Sequence, residues 1–236
     1  MVSEPNKDKI AAILALNSKI VSDMKQARRQ SNKKPLPPRG QGKSAGQIRI
    51  IAGKHKGRKL PVLMAEGLRP TTDRVKETVF NWLMPYIHQA NCLDCFAGSG
   101  SLGFEAMSRG ATQVTLVELN RAAAKQLQAN KDLIKADNVT VHNNDALTFL
   151  KEGALKSSQA ECDNQPFDLV FLDPPFRKQL VEQAAVLLNS YGLADQALIY
   201  VEMEAESTQA LPVNWQILKE KVTGQVVYRL YQYQAE

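Results

Sequence analysis

Asp173-Pro174-Pro175-Phe176 closes the apolar run Phe167–Leu172, whose composition is that of a buried strand. The tetrapeptide sets an acceptor carboxylate, two backbone carbonyls and an aromatic ring at one strand end. Its prolines fix φ locally and bias the residues before them toward extended geometry, so the carbonyls point where the fold directs them. That combination suits a flat group bearing an exocyclic NH2. The oxygens accept its two hydrogens while the ring lies on Phe176, and a nucleobase is the most economical such group. On these four residues alone, a plain strand-ending turn is the competing reading.

A second constellation lies upstream. Gly98, Gly100 and Gly103 satisfy G-x-G-x-x-G in the stretch Leu93-Asp94-Cys95-Phe96-Ala97-Gly98-Ser99-Gly100-Ser101-Leu102-Gly103, between a predicted strand and a predicted helix. Glu118 follows twenty residues after Gly98 at the end of the next strand, the placement of a carboxylate that binds ribose hydroxyls. A pyrophosphate prefers the bare positive helix end and is repelled by Asp94, four residues before the first glycine. S-adenosylmethionine carries an ammonium and a sulfonium instead, and an acidic rim favours it over NAD. Phe96, Ser99 and Leu119 border the same rim, and Asp145-Ala146 is placed to meet an adenine. Helix capping is the alternative for each acid singly, most strongly for Asp145.

The elements that must hold these residues follow from pattern. Residues 8–27 have helical apolar spacing, and 28–46 form a basic linker rich in Ser, Pro and Gly. Strand 47–51, a Gly53-Lys54-His55-Lys56-Gly57 tip and residues 58–63 form a hairpin. Thr71 or Thr72 caps a helix that Asp73 starts and Pro85 ends. Strands at 92–96, 113–118, 139–142, 167–173 and 197–202 then alternate with helices at 101–109, 121–135, 146–152 and 178–190. Residues 215–222 and 226–233 close the chain as strands around Thr223-Gly224. Alternation of this kind predicts an α/β fold: a mostly parallel sheet with helices on both faces and a C-terminal antiparallel hairpin. Three segments result: 1–46, helix and linker; 47–66, N-terminal β-hairpin; 67–236, the main domain.

Charge separates the same segments. Residues 1–60 hold 15 Lys and Arg against 3 Asp and Glu, leaving 15 against 21 in the other 176. A basic head on an acidic body predicts a polyanionic partner. No apolar run approaches the ~20 residues of a membrane span, and the N-terminus has no secretory plan, so the expectation is a cytoplasmic protein without a membrane partner. Cys92 and Cys95 form a C-x-x-C with no second pair or histidine cluster to complete a metal site, and read as small core residues.

The motifs carry a resemblance. Asp94 to Gly100, Glu118, Asp145-Ala146 and Asp173 to Phe176 look like the successive motifs of amino-group methyltransferases with the seven-stranded Rossmann-like fold. Arg69-Pro-Thr-Thr-Asp-Arg-Val-Lys-Glu-Thr-Val-Phe-Asn-Trp-Leu83, Leu93 to Gly100 and Phe171 to Phe176 resemble the bacterial 16S ribosomal RNA guanine-N2 methyltransferases (the guanine-966 type). The similarity covers about residues 47–236. It implies S-adenosylmethionine as cofactor, guanine N2 in 16S rRNA as acceptor and an assembled small subunit as substrate; a monomer is the default expectation. It also adds Arg69, Thr71 and Thr72 to the cofactor side of the site, and Arg74 beside them. Adenine N6 in DNA or another RNA, and a non-catalytic RNA-binding assembly factor, are the alternatives that an Asp-Pro-Pro-aromatic corner leaves open.

Overall fold

The near-continuous apolar run Phe167–Leu172 (β6) is what a strand needs when helices cover both its faces, and it lies in the middle of one sheet beside Asn91–Asp94 (β3). The computed structural model describes residues 46–63, 73–158 and 165–235. The expected helix over 8–27, most of the basic linker, and Arg69, Thr71 and Thr72 lie outside these residues. The described elements belong to one unit, Lys43–Glu236.

Gly46–Arg49 (β1) and Lys59–Val62 (β2) pair antiparallel as the N-terminal hairpin. Asp73–Leu83 (α1) leads to β3, which Ser101–Ser108 (α2), Gln113–Val117 (β4), Arg121–Ile134 (α3), Val139–His142 (β5) and Ala146–Ser158 (α4) follow. After β6 come Leu180–Tyr191 (α5), Leu193–Glu204 (β7), Trp215–Thr223 (β8) and Val226–Tyr233 (β9). The seven-stranded sheet has the order β5-β4-β3-β6-β7-β9-β8. The first five of these run parallel, and β9 inserts antiparallel between β7 and β8. The expected C-terminal hairpin is therefore present, with its second strand on the inside. Two elements run longer than their patterns predict: α4 extends past 152, and β7 begins at Leu193 and continues to Glu204.

Strand parity divides the core in two. Cys92, Val114, Leu116, Leu169, Phe171, Leu198 and Tyr200 point toward the hairpin, α1, α2 and α3. Leu93, Val117, Val170, Leu172, Ile199 and Val201 point the other way, toward α4 and α5. Cys92 and Cys95 are both buried but fall in opposite layers, and burial pushes both thiols up, so each is a protonated core residue. Among the described residues no helix is long and apolar enough to cross a membrane.

The hairpin is held to the sheet by one buried carboxylate. Glu105 on α2 is fully buried. Its Oε2 accepts from the Ile51 N–H at 2.8 Å, and its Oε1 accepts from the Ala52 N–H at 3.0 Å and Arg109 Nε at 2.7 Å. Lys76 Nζ, also buried, lies 3.7 Å from Oε2 and donates to the Arg49 carbonyl at 2.5 Å. One helical turn on, the Ser108 carbonyl accepts from the Lys54 N–H, and the Ser108 hydroxyl accepts from the His55 N–H and donates to the Ala52 carbonyl. Gly53, at φ +79°, has no room for a side chain: a Cβ there would stand 1.8 Å from the Ser108 carbonyl oxygen. The basic tip is thus fixed in place against the C-terminal end of α2.

Removing Glu105 leaves Lys76 and two backbone N–H groups buried without their acceptor. Glu105→Ala is expected to lower unfolding stability by about 3–5 kcal/mol and to expose the hairpin to protease. Urea titration and limited proteolysis measure both, and a loss under 1 kcal/mol would contradict this account of the hairpin.

Candidate active site at the carboxyl edge of the sheet

In a parallel sheet, paired residues share a face. Leu116, Asp94, Phe171 and Tyr200 are paired across β4, β3, β6 and β7 and form one row facing α1 and α2. Two residues further along from Leu116, Phe171 and Tyr200 come Glu118, Asp173 and Glu202. The row therefore delivers three carboxylates to one edge of one face, at the carboxyl ends of the strands where open α/β sheets bind ligands.

The glycine loop joins β3 to α2 at this edge. Gly98 (φ +52°) and Gly100 (φ +76°) take left-handed backbone conformations that disfavour side chains. Gly100 is also required by packing, because a Cβ there would lie 2.6–2.7 Å from the Leu127 and Phe104 side chains. Gly103 lets α2 sit on the sheet, since its Cβ would meet Leu116 Cδ2 at 2.2 Å. Glu118 secures the loop: Oε2 accepts from the Gly98 N–H at 2.8 Å and Oε1 from the Asn120 N–H at 2.7 Å. Leu119, beside it, is 69% exposed, an apolar side chain on the rim. Phe96 and Ser99 are half-buried, Phe96 resting on the layer toward α4.

Asp94 lies beneath the loop rather than on its surface. Its Oδ2 accepts from the Gly103 N–H at 3.1 Å, joining the end of β3 to the first turn of α2. Burial pushes its carboxyl up to about 7, against the pull of the Gly103 and Phe96 N–H groups, with the Glu118 charge adding to the rise. Asp145 caps α4, its Oδ1 accepting from the Thr148 N–H at 2.9 Å, and Ala146 is buried behind it. The capping reading of Asp145 is thus the one its hydrogen bond supports.

At the end of β6, Asp173 is half-buried, Pro174 is buried, Pro175 is exposed, and Phe176 is 40% exposed with its ring at the surface. Burial, then the charges of Glu202 and Asp94, hold the Asp173 carboxyl well above the usual carboxylate range. No hydrogen-bond donor among the described residues reaches it. The segment beyond is tied to β7 by the Arg177 N–H, which donates to Glu204 Oε1 at 2.5 Å.

Three contributors were absent from the sequence reading. Glu202 and Tyr200 lie on β7 beside Asp173 and Phe171, and the Tyr200 hydroxyl donates to Glu202 Oε2 at 3.1 Å. The apolar run Ala197–Val201 of β7 carried a signal for them, in an acidic residue two positions after its tyrosine. Ser101 opens α2, and its buried Oγ is the one such side-chain atom among the described residues without a hydrogen-bond partner. The helix above it begins at Gly100 with no side-chain cap. An orphaned hydroxyl and an uncapped helix start at a glycine loop fit a polar ligand lying there.

Comparison with known proteins converges on one family. Residues 48–232 match the family model described as conserved hypothetical protein 95. The ribosomal RNA small subunit methyltransferase D of Haemophilus influenzae is 56% identical over 191 residues, 79% of this chain and 94% of that protein. The protein of the same name from Escherichia coli K12 is 53% identical over 194 residues, 81% of this chain and 93% of its own. Among solved structures, the putative methyltransferase yhhF from Escherichia coli superimposes with a TM-score of 0.72 at 51% identity, covering 81% of this chain and all of that one.

The raised Asp94 carboxyl has a consequence for stability. Its ordinary value is 3.8 and its folded value about 7, so between these the native state holds a proton that the unfolded chain has lost. Stability therefore falls as pH rises across that window. Asp94→Asn cannot ionise and should remove roughly 2 kcal/mol or more of the loss between pH 5 and pH 8. Urea unfolding of both proteins at the two pH values checks this; parallel losses would contradict it.

Proposed function

The chain belongs to the conserved hypothetical protein 95 family, alongside ribosomal RNA small subunit methyltransferases D that share more than half of the aligned residues, and on that premise we propose that it methylates the exocyclic N2 of a guanine in 16S rRNA. It is a methyltransferase, and S-adenosylmethionine is its methyl donor. The observation that carries the reading is the corner of Asp173, Pro174 and exposed Phe176, set on the same sheet edge as the Gly98–Gly100 loop and Glu118.

The residues present suit this donor. When bound, S-adenosylmethionine supplies an electrophilic methyl group on a sulfonium. Glu118 is the carboxylate for the ribose hydroxyls, each of its oxygens keeping acceptor capacity beyond the N–H it already holds. Asp145, Ala146 and Leu119 border the adenine side, and Ser101 offers its free hydroxyl. The carboxyls of Glu118, Asp173 and Glu202 at this edge favour a cationic ligand over a pyrophosphate.

Guanine N2 is a weak nucleophile because its lone pair is delocalised into the ring. Hydrogen bonds from its two hydrogens to Asp173 and to the Pro174 carbonyl favour a pyramidal nitrogen with its lone pair directed at the methyl carbon. Phe176 stacks on a base drawn out of its RNA neighbours. Rate then comes from positioning and electrostatics. The N–C bond forms as the C–S bond breaks, and the nitrogen sheds a proton after it becomes cationic, so Asp173 need not be a strong base. No cysteine of the described residues stands at this corner to form a thiolate adduct.

Two substitutions divide the roles. Asp173→Ala is expected to lower transfer from labelled S-adenosylmethionine to unmethylated small subunits by about 100-fold or more while calorimetry shows cofactor binding intact; wild-type turnover would sink the mechanism. Glu118→Ala should instead weaken cofactor affinity about tenfold or more, and an unchanged affinity would remove it from the ribose role. Mass spectrometry of the product nucleoside tests the acceptor, with N2-methylguanosine expected and N6-methyladenosine overturning the assignment.

A further inference from the structure

The Asp-Pro-Pro-Phe corner binds an exocyclic amine without distinguishing guanine from adenine, and the residue beside it on the next strand carries chemistry that does. Leu172 pairs with Val201 across β6 and β7, so Asp173 and Glu202 stand side by side on one face at the carboxyl edge, with strands about 4.8 Å apart. Glu202 is half-buried. Its Oε2 is engaged by the Tyr200 hydroxyl, while Oε1 receives no donor from the described residues. Asp173 receives none either. Two adjacent carboxyls thus face the corner with acceptor sites that no described residue fills and no basic partner in contact among the described residues.

We propose that Glu202 is a specificity-determining residue that accepts the N1–H of the target guanine while Asp173 and Pro174 take the N2 hydrogens. This rests on the reading of the corner as the acceptor site. Guanine presents N1–H and N2–H2 as contiguous donors on its Watson–Crick edge, and flipped bases are read on that edge. Two carboxyls in a row match three donors in a row. Adenine presents a lone pair at N1, which Glu202 would meet with its own oxygen, leaving both unsatisfied and in repulsion.

Tyr200 aims Glu202. Burial raises the Glu202 carboxyl, and the hydrogen bond donated by the Tyr200 hydroxyl opposes part of that rise. Tyr200 itself is buried against Phe171, with ring centroids 6.3 Å apart, and its own proton is held by burial and the neighbouring acids. The hydroxyl is therefore a fixed donor, and Glu202 is aimed by it rather than free to turn.

The decisive substrate is 2-aminopurine, which retains the exocyclic 2-amine of guanine but has a lone pair at N1. Small subunits reconstituted with guanine or 2-aminopurine at the methylated position are offered to the wild-type enzyme, Glu202→Gln and Glu202→Asp. Wild type is expected to prefer guanine in kcat/KM by roughly ten- to a hundredfold. In Glu202→Gln, whose amide both donates and accepts, that ratio should collapse toward one, with the guanine loss mainly in KM. Glu202→Asp retains a carboxylate and should retain the preference, which also covers the case of a Gln variant that folds poorly, as judged by calorimetric S-adenosylmethionine binding. A Gln variant that loses activity equally on both substrates, or none on either, overturns the role of Glu202 while leaving the methyltransferase reading standing. A wild-type enzyme that transfers no methyl to guanine subunits overturns both.

Discussion

The pairing of Leu116, Asp94, Phe171 and Tyr200 in one row across four parallel strands is the constraint on which the rest of the molecule depends. Side-chain direction alternates along a strand, so a slip of one residue in β6 or β7 would move Asp173 or Glu202 to the face covered by α4 and α5. The core prevents that slip. Phe171 and Tyr200 are fully buried against Phe80 and the α1 layer, while Leu172 and Val201 fill the opposite layer. Apolar packing within the sheet therefore sets the relative positions of the polar groups at its edge. The loop is tied into the same row, because Asp94 holds Gly103 from below and Glu118 holds Gly98 from the neighbouring strand.

How much of this was legible in the sequence depended on how local each cause is. Strand–helix alternation, the glycine loop and the tetrapeptide are local patterns, and β3 to β6 formed within a residue or two of their expected ends. The long β7 was shortened because Asp195 and Gln196 interrupt its apolar run, although partners on both sides still extend it. Glu202 was missed for the same reason that it matters: it stands next to Asp173 only through strand pairing, 29 positions away in the chain. The anchoring of the hairpin by Glu105 was equally hidden, since its partners Ile51 and Ala52 lie 54 and 53 residues distant. A carboxylate inside an apolar helix announces a partner without naming it.

The docked hairpin also separates two properties that composition had merged. Basic residues Lys54, Lys56 and Arg58 sit on a tip fixed to Ser108, the last residue of α2, whereas the glycine loop begins that helix at Ser101. Eight residues at about 1.5 Å each put roughly 12 Å of helix between them. The tip's charge lies away from the carboxyl edge, whose own balance is acidic. An RNA that brings one base to Phe176 meets an edge suited to the methyl donor's cation and a basic surface further down the same layer.

The two kinds of buried acid in this fold show which one serves structure and which awaits a ligand. Glu105 has backbone N–H groups, Arg109 and Lys76 around it, so its acceptor sites are filled and its removal leaves donors stranded. Among the described residues, Asp173 and Glu202 have each other, one tyrosine hydroxyl and no cation in contact, and both carboxyls are held above their ordinary range. Among the described residues only the Tyr200 hydroxyl offsets the desolvation and mutual repulsion of this half-buried pair. Acceptor sites that no described residue fills suit a base carrying N–H groups on adjacent ring and exocyclic positions.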